Sequence, residues 1–253
     1  MNINLLSCAA VVVVAGSVVT QPAQTASWGY GGDEGPAKWG DLSPDFKVCG
    51  SGKMQSPVDL SDANATSGVE VSLDYRPVGL EILNNGHTVQ MNVENGSFMR
   101  SHNKTFYLRQ VHFHTPSEHP ISGKTYDMEA HFVHQVSGGG PLAVIGVFFN
   151  EGVENAALKE VITHAPKGNS HGAKVVKGVT VDLRAILPNK RSYYRYMGSL
   201  TTPPCSEGVN WFVVKQAMTV SKAQIAKMKA AFGGENARPV QASNNRLILG
   251  TVK

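Results

Sequence analysis

Apolar and polar residues alternate over much of the chain with the period of two that is typical of β-strands. The predicted strands are residues 69–75, 80–83, 88–93, 106–114, 128–136, 142–149 and 210–214. The segment Asn84-Asn85-Gly86 has the residue types of a tight turn and joins the second and third of these strands. Together they predict a large, twisted, mostly antiparallel sheet.

Helical patterns are confined to two short segments. Residues 155–164 predict one short helix, and residues 221–232 predict a second. In the second segment Ser221 and Gln224 form a capping box, and Gly233 provides the C-terminal stop. We therefore expect a few short helices at the periphery of the sheet.

The composition is typical of a globular domain. Apolar residues make up 42% of the 253 residues and charged residues 17%, a balance that can bury a sizeable core. The 26 glycines and 13 prolines favour a fold with many turns over a helix bundle. The net charge is +4 with scattered basic residues, so no nucleic-acid partner is expected. No repeat or linker interrupts residues 27–253, which predicts a single mainly β domain.

The N-terminus carries an apolar segment at residues 5–19. At about 15 residues it is shorter than the roughly 20 that a membrane span needs, so no stable span is expected. It fits a secretory signal peptide over residues 1–26, cleaved between residues 17 and 27, although residues 1–4 contain no Lys or Arg. The alternatives are a buried strand or an uncleaved anchor. The signal predicts export to the periplasm or the medium.

Cleavage would remove Cys8 and leave Cys49 and Cys205 as the remaining cysteines. An even pair in an exported protein predicts a disulfide, because thiols oxidise outside the cytosol. If the protein is not exported, two buried free thiols are the alternative.

The segment Gln110-Val-His-Phe-His114 is the first candidate for chemistry. In a strand, Gln110, His112 and His114 share one face, and two neighbouring imidazoles can bind one metal ion. A single His-x-His is weak evidence, because surface histidines and hydrogen-bonded core histidines are common.

A second predicted strand strengthens the metal hypothesis. It places Glu129, His131 and Val133 on one face, so that a third imidazole can join His112 and His114. Three neutral nitrogen ligands leave a fourth position open, as in catalytic zinc sites, although cobalt or iron fits the same geometry. Gln110 and Glu129 are placed to accept the second ring N–H of a ligating histidine. The opposite phase of His134 predicts a structural or surface histidine.

Eight motifs in the same order closely resemble the α-class carbonic anhydrases and span almost everything from Trp28 to the C-terminus. They are Trp28-Gly-Tyr30-Gly, Gln55-Ser-Pro57, Asn84-Asn-Gly-His87, His112-Phe-His114, Ser117-Glu118-His119, Glu129-Ala-His131-Phe-Val-His134, Ser199-Leu-Thr-Thr-Pro-Pro-Cys205 and Asn236-Ala-Arg-Pro-Val-Gln241. The short link from His114 to Glu118 and the pair of cysteines resemble the compact bacterial members.

The resemblance implies zinc at the base of a cleft and the reversible hydration of carbon dioxide to bicarbonate and a proton. In this family a zinc-bound hydroxide is the nucleophile, and the bound water has a pKa of about 7. The implied partners are carbon dioxide, bicarbonate and water, with sulfonamides or anions as inhibitors, for a monomer or dimer. The same hydroxide could attack activated esters as a side activity.

The resemblance also assigns catalytic residues. Thr201 is expected to donate its hydroxyl proton to Glu118, so that its oxygen accepts from the nucleophile and orients it. The main-chain N–H of Thr201 is expected to stabilise charge on the substrate oxygen. Without the motif, an ordinary loop hydroxyl and a solvated acid are the alternatives for these two residues.

Further positions correspond to the substrate pocket and the proton path of the family. The expected pocket residues are Val133, Val144, Leu200, Thr202, Val209 and Trp211, for which core packing is the alternative. His87 matches the proton shuttle, with a free histidine pKa of about 6.5 suited to that role, or else is a surface histidine of the hairpin. The residues expected to order the water path are Tyr30, Asn85 and Gln90, the last in place of a more usual asparagine.

A non-catalytic binding module with this fold is the competing hypothesis. Such relatives usually lack a metal histidine, whereas this chain has all three together with Glu118 and Thr201. The sequence therefore favours the enzyme.

Overall fold

The computed structural model describes residues 26–94, 96–170 and 172–252. Residues 1–25 of the predicted signal segment lie outside this part of the chain, so the signal stays a prediction. The strands are β1 (Asn64–Thr66), β2 (Ser72–Asp74), β3 (Pro77–Asn84), β4 (Val89–Asn92), β5 (Phe98–Ser101), β6 (Lys104–His114), β7 (Met128–Gln135), β8 (Leu142–Glu151), β9 (Lys174–Asp182), β10 (Tyr193–Ser199), β11 (Glu207–Val214), β12 (Met218–Val220) and β13 (Leu249–Thr251).

Helices in the described residues are few and short. The α-helices are α1 (Trp39–Leu42), α2 (Val48–Ser51), α3 (Lys159–His164) and α4 (Lys222–Phe232), and 3-10 turns cover Gly32–Glu34, Pro44–Phe46, Ala156–Leu158 and Leu183–Ile186. The capping box of Ser221 and Gln224 is present at α4, and Gly233 ends that helix with φ of 82°. None of the described helices is long and apolar enough to cross a membrane.

One large sheet forms the centre of the molecule. Its strand order is β1-β13-β10-β11-β8-β7-β6-β4-β3-β9, with β12 beside β8 and the pair β2 and β5 extending from β6. The pairs β1–β13, β8–β11 and β8–β12 are parallel, and the other pairs are antiparallel. The predicted fold, a single mainly β domain with peripheral helices, is confirmed.

The seven predicted strands all have counterparts, but the first is much shorter than its apolar pattern. β2 covers only Ser72–Asp74, where it pairs with β5. Val69 and Tyr75, at the ends of the predicted strand, are buried by side-chain packing rather than by the strand ladder. The alternating pattern here reflects the burial of one side of the segment, and such burial does not require a continuous strand.

Each face of the sheet buries its own apolar cluster, because successive side chains of a strand point to opposite faces. In β6, Val111 and Phe113 are fully buried in the larger cluster, which also takes in α4 through Met228. The smaller cluster lies on the other face and is built around Val144 and Trp211. The histidines of β6 alternate with Val111 and Phe113, and therefore point toward the face that carries the smaller cluster.

A disulfide joins α2 to the segment after β10. Cys49 and Cys205 are bonded, with Cα atoms 5.0 Å apart and a separation of 156 positions in the sequence. Both are buried beside Trp39. The predicted disulfide is confirmed, and it ties the Leu200–Cys205 segment to the N-terminal part of the domain.

Reduction of this disulfide is expected to destabilise the protein. A bridge that closes so long a loop restricts the unfolded chain, and the chain-entropy model gives a stabilisation of about 4–5 kcal/mol. Chemical unfolding with and without a reducing agent measures the loss, with the double variant Cys49→Ser/Cys205→Ser as a control that should not respond to reductant. Alkylation of both cysteines in unreduced, denatured protein would contradict the bridge.

Candidate metal site

Strands β6 and β7 bring three imidazoles together. His112 and His131 lie directly opposite each other in the register of the pair, and His114 is two residues further along β6 on the same face. The ring centroids are 5.0 Å apart for His112 and His114, 5.1 Å for His112 and His131, and 4.5 Å for His114 and His131. One nitrogen of each ring lies within 4.8 Å of the others, a spacing that one ion could bridge.

Each of the three imidazoles uses one ring nitrogen for a hydrogen bond inside the protein. The contacts are His112 Nδ1 to Gln110 Oε1 at 2.8 Å, His114 Nδ1 to the main-chain oxygen of Asn236 at 2.8 Å, and His131 Nε2 to Glu129 Oε1 at 2.9 Å. Because these oxygens accept, each bonded nitrogen carries the proton and the second nitrogen has a free lone pair. The hydrogen bonds expected of Gln110 and Glu129 are present, whereas the Asn236 carbonyl was not predicted.

The donor set fits a zinc ion. His114 Nε2 is buried and has no hydrogen-bond partner, which is unfavourable for a polar atom unless something else binds it. Burial lowers the pKa of His114, and burial reinforced by the neighbouring imidazoles lowers the pKa of His112 well below 6.5. Both rings are therefore neutral near pH 7, which is the form that binds a metal.

The family follows from the comparison with known proteins. A family model described as eukaryotic-type carbonic anhydrase matches residues 34–251. The chain belongs to this family. A carbonic anhydrase of Nostoc sp. is 43% identical over 240 residues, which cover 92% of this chain and 90% of that protein. A carbonic anhydrase of Neisseria gonorrhoeae is 40% identical and covers 88% of this chain and 87% of its own.

The solved structures agree with the carbonic anhydrase family. The α-carbonic anhydrase of Thermovibrio ammonificans, solved with the inhibitor sulfanilamide, superimposes with a TM-score of 0.85 at 42% identity. The match covers 89% of this chain and all of that chain. The resemblance to the α-class carbonic anhydrases is therefore confirmed, and so is the fold that it implies.

Glu118 lies at the inner side of this carbonic anhydrase site. Its Oε1 accepts from the main-chain N–H of Arg238 at 2.9 Å, and its Oε2 lies 3.9 Å from His131 Nδ1. Glu118 Oε2 is buried without a hydrogen-bond partner, so the expected bond from Thr201 is not formed in this arrangement. Thr201 is buried on the turn after β10. Glu118 thus keeps a buried acceptor that a hydroxyl donor would satisfy.

The predicted carbon dioxide pocket residues gather next to His131. Val144, Val209 and Trp211 are buried in the smaller apolar cluster, and Val133 and Leu200 pack against it while remaining partly exposed. The Trp211 ring centroid lies 4.8 Å from that of His131. An apolar cluster therefore borders the group of three imidazoles at His131.

A cleft of about 120 Å³ reaches His112 and His114 from the surface. Its other lining residues are Trp28, Tyr30, Asn85, His87, Thr88, Gln90, Gln110 and Thr202. All the residues expected to carry or order the proton path lie along this cleft, as does Thr202. The Gln90 side chain, which also lines the cleft, donates from its amide nitrogen to Asn92 Oδ1 at 2.8 Å.

His87 stacks on a residue that was not predicted to contact it. The rings of His87 and Trp28 lie 3.6 Å apart and are nearly parallel, at 9°. Partial burial lowers the pKa of His87, and the charge of Glu34 opposes that shift. Stacking restrains the imidazole against Trp28, which lines the same cleft.

Glu129 is the central acceptor beneath the site. Besides His131, it accepts from His119 Nδ1 at 2.8 Å and from the main-chain N–H groups of Glu118 and His119 at 2.9 and 3.0 Å. His119 Nε2 lies 2.7 Å from the hydroxyl of Tyr196. His119, Glu129 and His131 also have metal-like spacing, but their facing atoms are bonded to one another. This group therefore supports His131 and is not a second metal site.

His134 is structural, as its phase predicted, and it is not at the surface. It is fully buried, with Nε2 2.6 Å from the Tyr75 hydroxyl and Nδ1 3.2 Å from the Ala143 carbonyl oxygen. Burial lowers its pKa to about 3. A histidine that stays neutral and is already hydrogen-bonded at both nitrogens takes no part in the site.

Gly146 of β8 lies opposite His131 and gives the Glu129 carboxylate its space. A Cβ atom at this position would lie 2.7 Å from Glu129 Oε1, closer than van der Waals contact allows. Glu129 is fully buried and cannot move without breaking hydrogen bonds. The site therefore depends on a residue without a side chain in the neighbouring strand.

The variant Gly146→Ala is accordingly expected to weaken zinc binding by roughly 10–100-fold, the range found when the hydrogen-bond partner of a ligand is disturbed. Competition with a chromophoric zinc chelator measures the affinity. Gly79→Ala is the matched control, because Gly79 also lies in a strand and a Cβ there meets nothing within 4 Å. An unchanged zinc affinity in Gly146→Ala would show that Glu129 does not set the position of His131.

Proposed function

We propose that this chain catalyses the zinc-dependent, reversible hydration of carbon dioxide to bicarbonate and a proton. The observation that carries the proposal is the set of three converging imidazoles, each anchored through its other nitrogen and bordered by an apolar surface. Membership of the carbonic anhydrase family supports it, and the relative solved with sulfanilamide supports sulfonamides as inhibitors.

His112, His114 and His131 are the residues that would hold the zinc ion, because hydrogen bonds inside the protein leave His112 Nε2, His114 Nε2 and His131 Nδ1 as the ring nitrogens for it. A zinc ion with three neutral ligands supplies Lewis acidity, which makes a water-derived nucleophile available near pH 7, as established for this family. Gln110, Glu129 and the Asn236 carbonyl keep each ring in the tautomer that presents its free lone pair inward.

Glu118 and Thr201 orient the reaction. The unpaired Oε2 of Glu118 is an acceptor that lies 3.9 Å from His131 Nδ1, and the Thr201 hydroxyl is the donor that the family motif assigns to it. With its proton directed to Glu118, the Thr201 oxygen accepts from the nucleophile and aims it at carbon dioxide. The main-chain N–H of Thr201 stabilises the charge that develops on the substrate oxygen.

The apolar cluster holds carbon dioxide, which is small and has no net dipole. Val133 and Leu200 remain partly exposed, and they pack against the cluster in which Val144, Val209 and Trp211 are buried. Thr202 lines the cleft together with His112 and His114. Carbon dioxide is thereby held beside the nucleophile without competing for the polar groups.

His87 passes the released proton to buffer. It lies at the mouth of the cleft whose lining includes Tyr30, Asn85 and Gln90, and these polar side chains order the intervening water. The Asn85 side chain also accepts from the main-chain N–H of His87, which fixes the turn. An imidazole is suited to the task because it gains and loses a proton near neutral pH.

The variant His87→Ala is expected to slow turnover in dilute buffer, with much smaller loss in concentrated buffer and recovery on adding imidazole. The physical reason is that buffer or imidazole must then reach the inner cleft directly. Steady-state carbon dioxide hydration across a buffer series measures the effect. Turnover of the variant that equals the parent in dilute buffer would rule out His87 as the shuttle.

Stopped-flow proton release from dissolved carbon dioxide tests the proposed function itself. We expect release that is inhibited by sulfanilamide and lost after treatment with a zinc chelator. A protein that binds zinc and sulfanilamide without accelerating proton release would instead be the non-catalytic binding module. Hydrolysis of activated esters with the same inhibitor sensitivity would identify a side activity of the same site.

Export is proposed from the N-terminal segment and the disulfide together. A buried bridge between Cys49 and Cys205 is typical of proteins that fold in oxidising compartments. We propose a signal peptide over residues 1–26, cleaved between residues 17 and 27, and a periplasmic or secreted mature protein. N-terminal sequencing of protein recovered outside the cytoplasm tests this, and an intact Met1 would contradict it.

A further inference from the structure

A second polar cavity lies outside the cleft, where the β5–β6 hairpin meets β10 and β11. Its volume is about 220 Å³, and it shares no lining residue with the cleft that reaches the metal site. Roughly 30 Å³ is the volume of one water molecule in the liquid. The cavity is therefore large enough for a small polyatomic ion together with some of its water.

The charges around this cavity have one sign. Lys104 from the hairpin and Arg195 from β10 carry the positive charges, His102 lines the cavity beside them, and no Asp or Glu does. None of these three residues forms an ion pair with a carboxylate among the described residues. Arg195 Nη1 lies 3.4 Å from His102 Nε2. A guanidinium can only donate, so the imidazole accepts this contact. The positive charge of Arg195 therefore lies next to an imidazole and not next to a counter-ion.

Neutral donors complete the lining. Ser101 is 6% exposed, and its hydroxyl is buried with no hydrogen-bond partner. An unsatisfied buried hydroxyl is costly unless a ligand or water binds it. The Asn210 side chain accepts from Arg195 Nη2 through its oxygen, at 3.4 Å, so its amide nitrogen remains a donor. The Arg195 guanidinium also lies over the Phe212 ring, 5.5 Å from its centroid, which limits where it can point.

We propose that this cavity is a binding site for a small oxyanion, separate from the catalytic centre. The guanidinium of Arg195 is the principal donor, Ser101 contributes a buried hydroxyl, and Lys104 adds positive charge at the rim. Bicarbonate, sulfate and phosphate share the chemistry that these groups recognise, namely several oxygens carrying negative charge. The site does not depend on the metal ion or on turnover.

Titration of the zinc-loaded protein with each anion, followed by residue-resolved NMR, tests the proposal. We expect saturable shifts of the amides of residues 101–104 and of the Arg195 side-chain N–H, distinct from any shifts in the cleft. Saturation by bicarbonate alone would mark a site for the reaction product, and saturation by all three anions a general oxyanion site. Both results support the proposal, because both require a bound oxyanion in this cavity.

Two variants separate specific binding from general attraction. Arg195→Gln is expected to weaken binding about tenfold, the loss of one charged hydrogen bond. Arg100→Gln is the matched control with unchanged affinity, because Arg100 lies on the same hairpin and on an aromatic ring but does not line the cavity. Shifts that never saturate, or an equal loss in both arginine variants, would overturn the proposal in favour of general charge screening.

Ser101→Ala provides an independent check. The substitution removes the unpaired hydroxyl and changes little else at a buried position. We expect weaker oxyanion binding with a melting temperature that is unchanged or raised, because no hydrogen bond within the protein is lost. Unchanged oxyanion affinity in this variant would show that the cavity does not use its buried donor and would contradict the proposed site.

Discussion

His114→Ala is expected to lose both the zinc ion and carbon dioxide hydration. His114 is 1% exposed, and its Nε2 is the buried ring nitrogen that lacks any partner within the protein. Removing a direct ligand should cost more than the roughly 10–100-fold in metal affinity that follows from disturbing the partner of a ligand. Metal analysis of the purified variant and stopped-flow hydration measure the two losses on the same sample.

His164→Ala is the control for that experiment. His164 lies in α3, partly exposed beside Glu160, and is outside the site, so the variant should keep its zinc and its turnover. Circular dichroism shows whether the His114 variant still folds, because the Asn236 carbonyl loses its donor there. A folded His114→Ala protein with a full complement of zinc and undiminished turnover would remove His114 from the site.

Thr201→Ala is expected to lower kcat/KM for carbon dioxide hydration by roughly 100-fold while zinc content stays the same. The loss is the cost of a misdirected nucleophile, for which effects of about 10²-fold are typical. Thr201→Ser, which keeps the hydroxyl, should retain most of the activity. Stopped-flow kinetics with zinc-saturated protein separates this effect from a change in metal binding.

The partner of Thr201 gives a sharper test of the same idea. If Thr201 acts by donating to Glu118 Oε2, then replacing Glu118 by Gln in the Thr201→Ala background should add little further loss. Losses that multiply in the double variant, or a Thr201→Ala protein with the parent's kcat/KM, would show that the two residues do not act as a pair.

The alternation of side chains along each strand was enough to predict a good part of the site. Alternation in β6 correctly placed His112 and His114 on one face and Val111 and Phe113 on the other, and it separated His131 from His134 in β7. These relations depend only on local backbone geometry, which repeats every two residues.

The pairing between strands could not be predicted from the same pattern. His131 faces His112 because the register of β6 and β7 shifts at an irregularity between Leu108 and Gln110. A one-residue difference in register would move every side chain to the other face. Such a shift leaves no recognisable signal in a single sequence, so the strand pattern proposed His131 as a third ligand without showing that it faces His112.

Contacts between distant segments were missed for a similar reason. The Asn236 carbonyl holds His114, and Arg238, whose guanidinium donates to the carbonyl oxygens of Ser56 and Cys49, anchors the same C-terminal segment. Burial lowers the pKa of Arg238 to about 10. A main-chain acceptor carries no residue-type signal, and the resemblance assigned no role to these residues.

Six of the described strands have no counterpart among the seven predicted ones: β1, β5, β9, β10, β12 and β13, of which β9 and β10 are the longest. β9 is an edge strand whose residues are mostly exposed, so it lacks the apolar alternation of a half-buried strand. β10 lies between β13 and β11, but its two buried aromatic residues, Tyr193 and Tyr196, are three positions apart and do not follow the period of two. In both cases packing around the strand, and not its own pattern, determines the structure.

X-ray absorption at the zinc edge is the most direct test of the central claim, that three imidazoles hold one ion with a fourth position open. We expect three imidazole nitrogens at about 2.0–2.1 Å and one further light-atom ligand, which changes when sulfanilamide is added. A fourth ligand from the protein that does not respond to the inhibitor, or a sulfur ligand, would mean a closed structural site and would contradict the proposed chemistry.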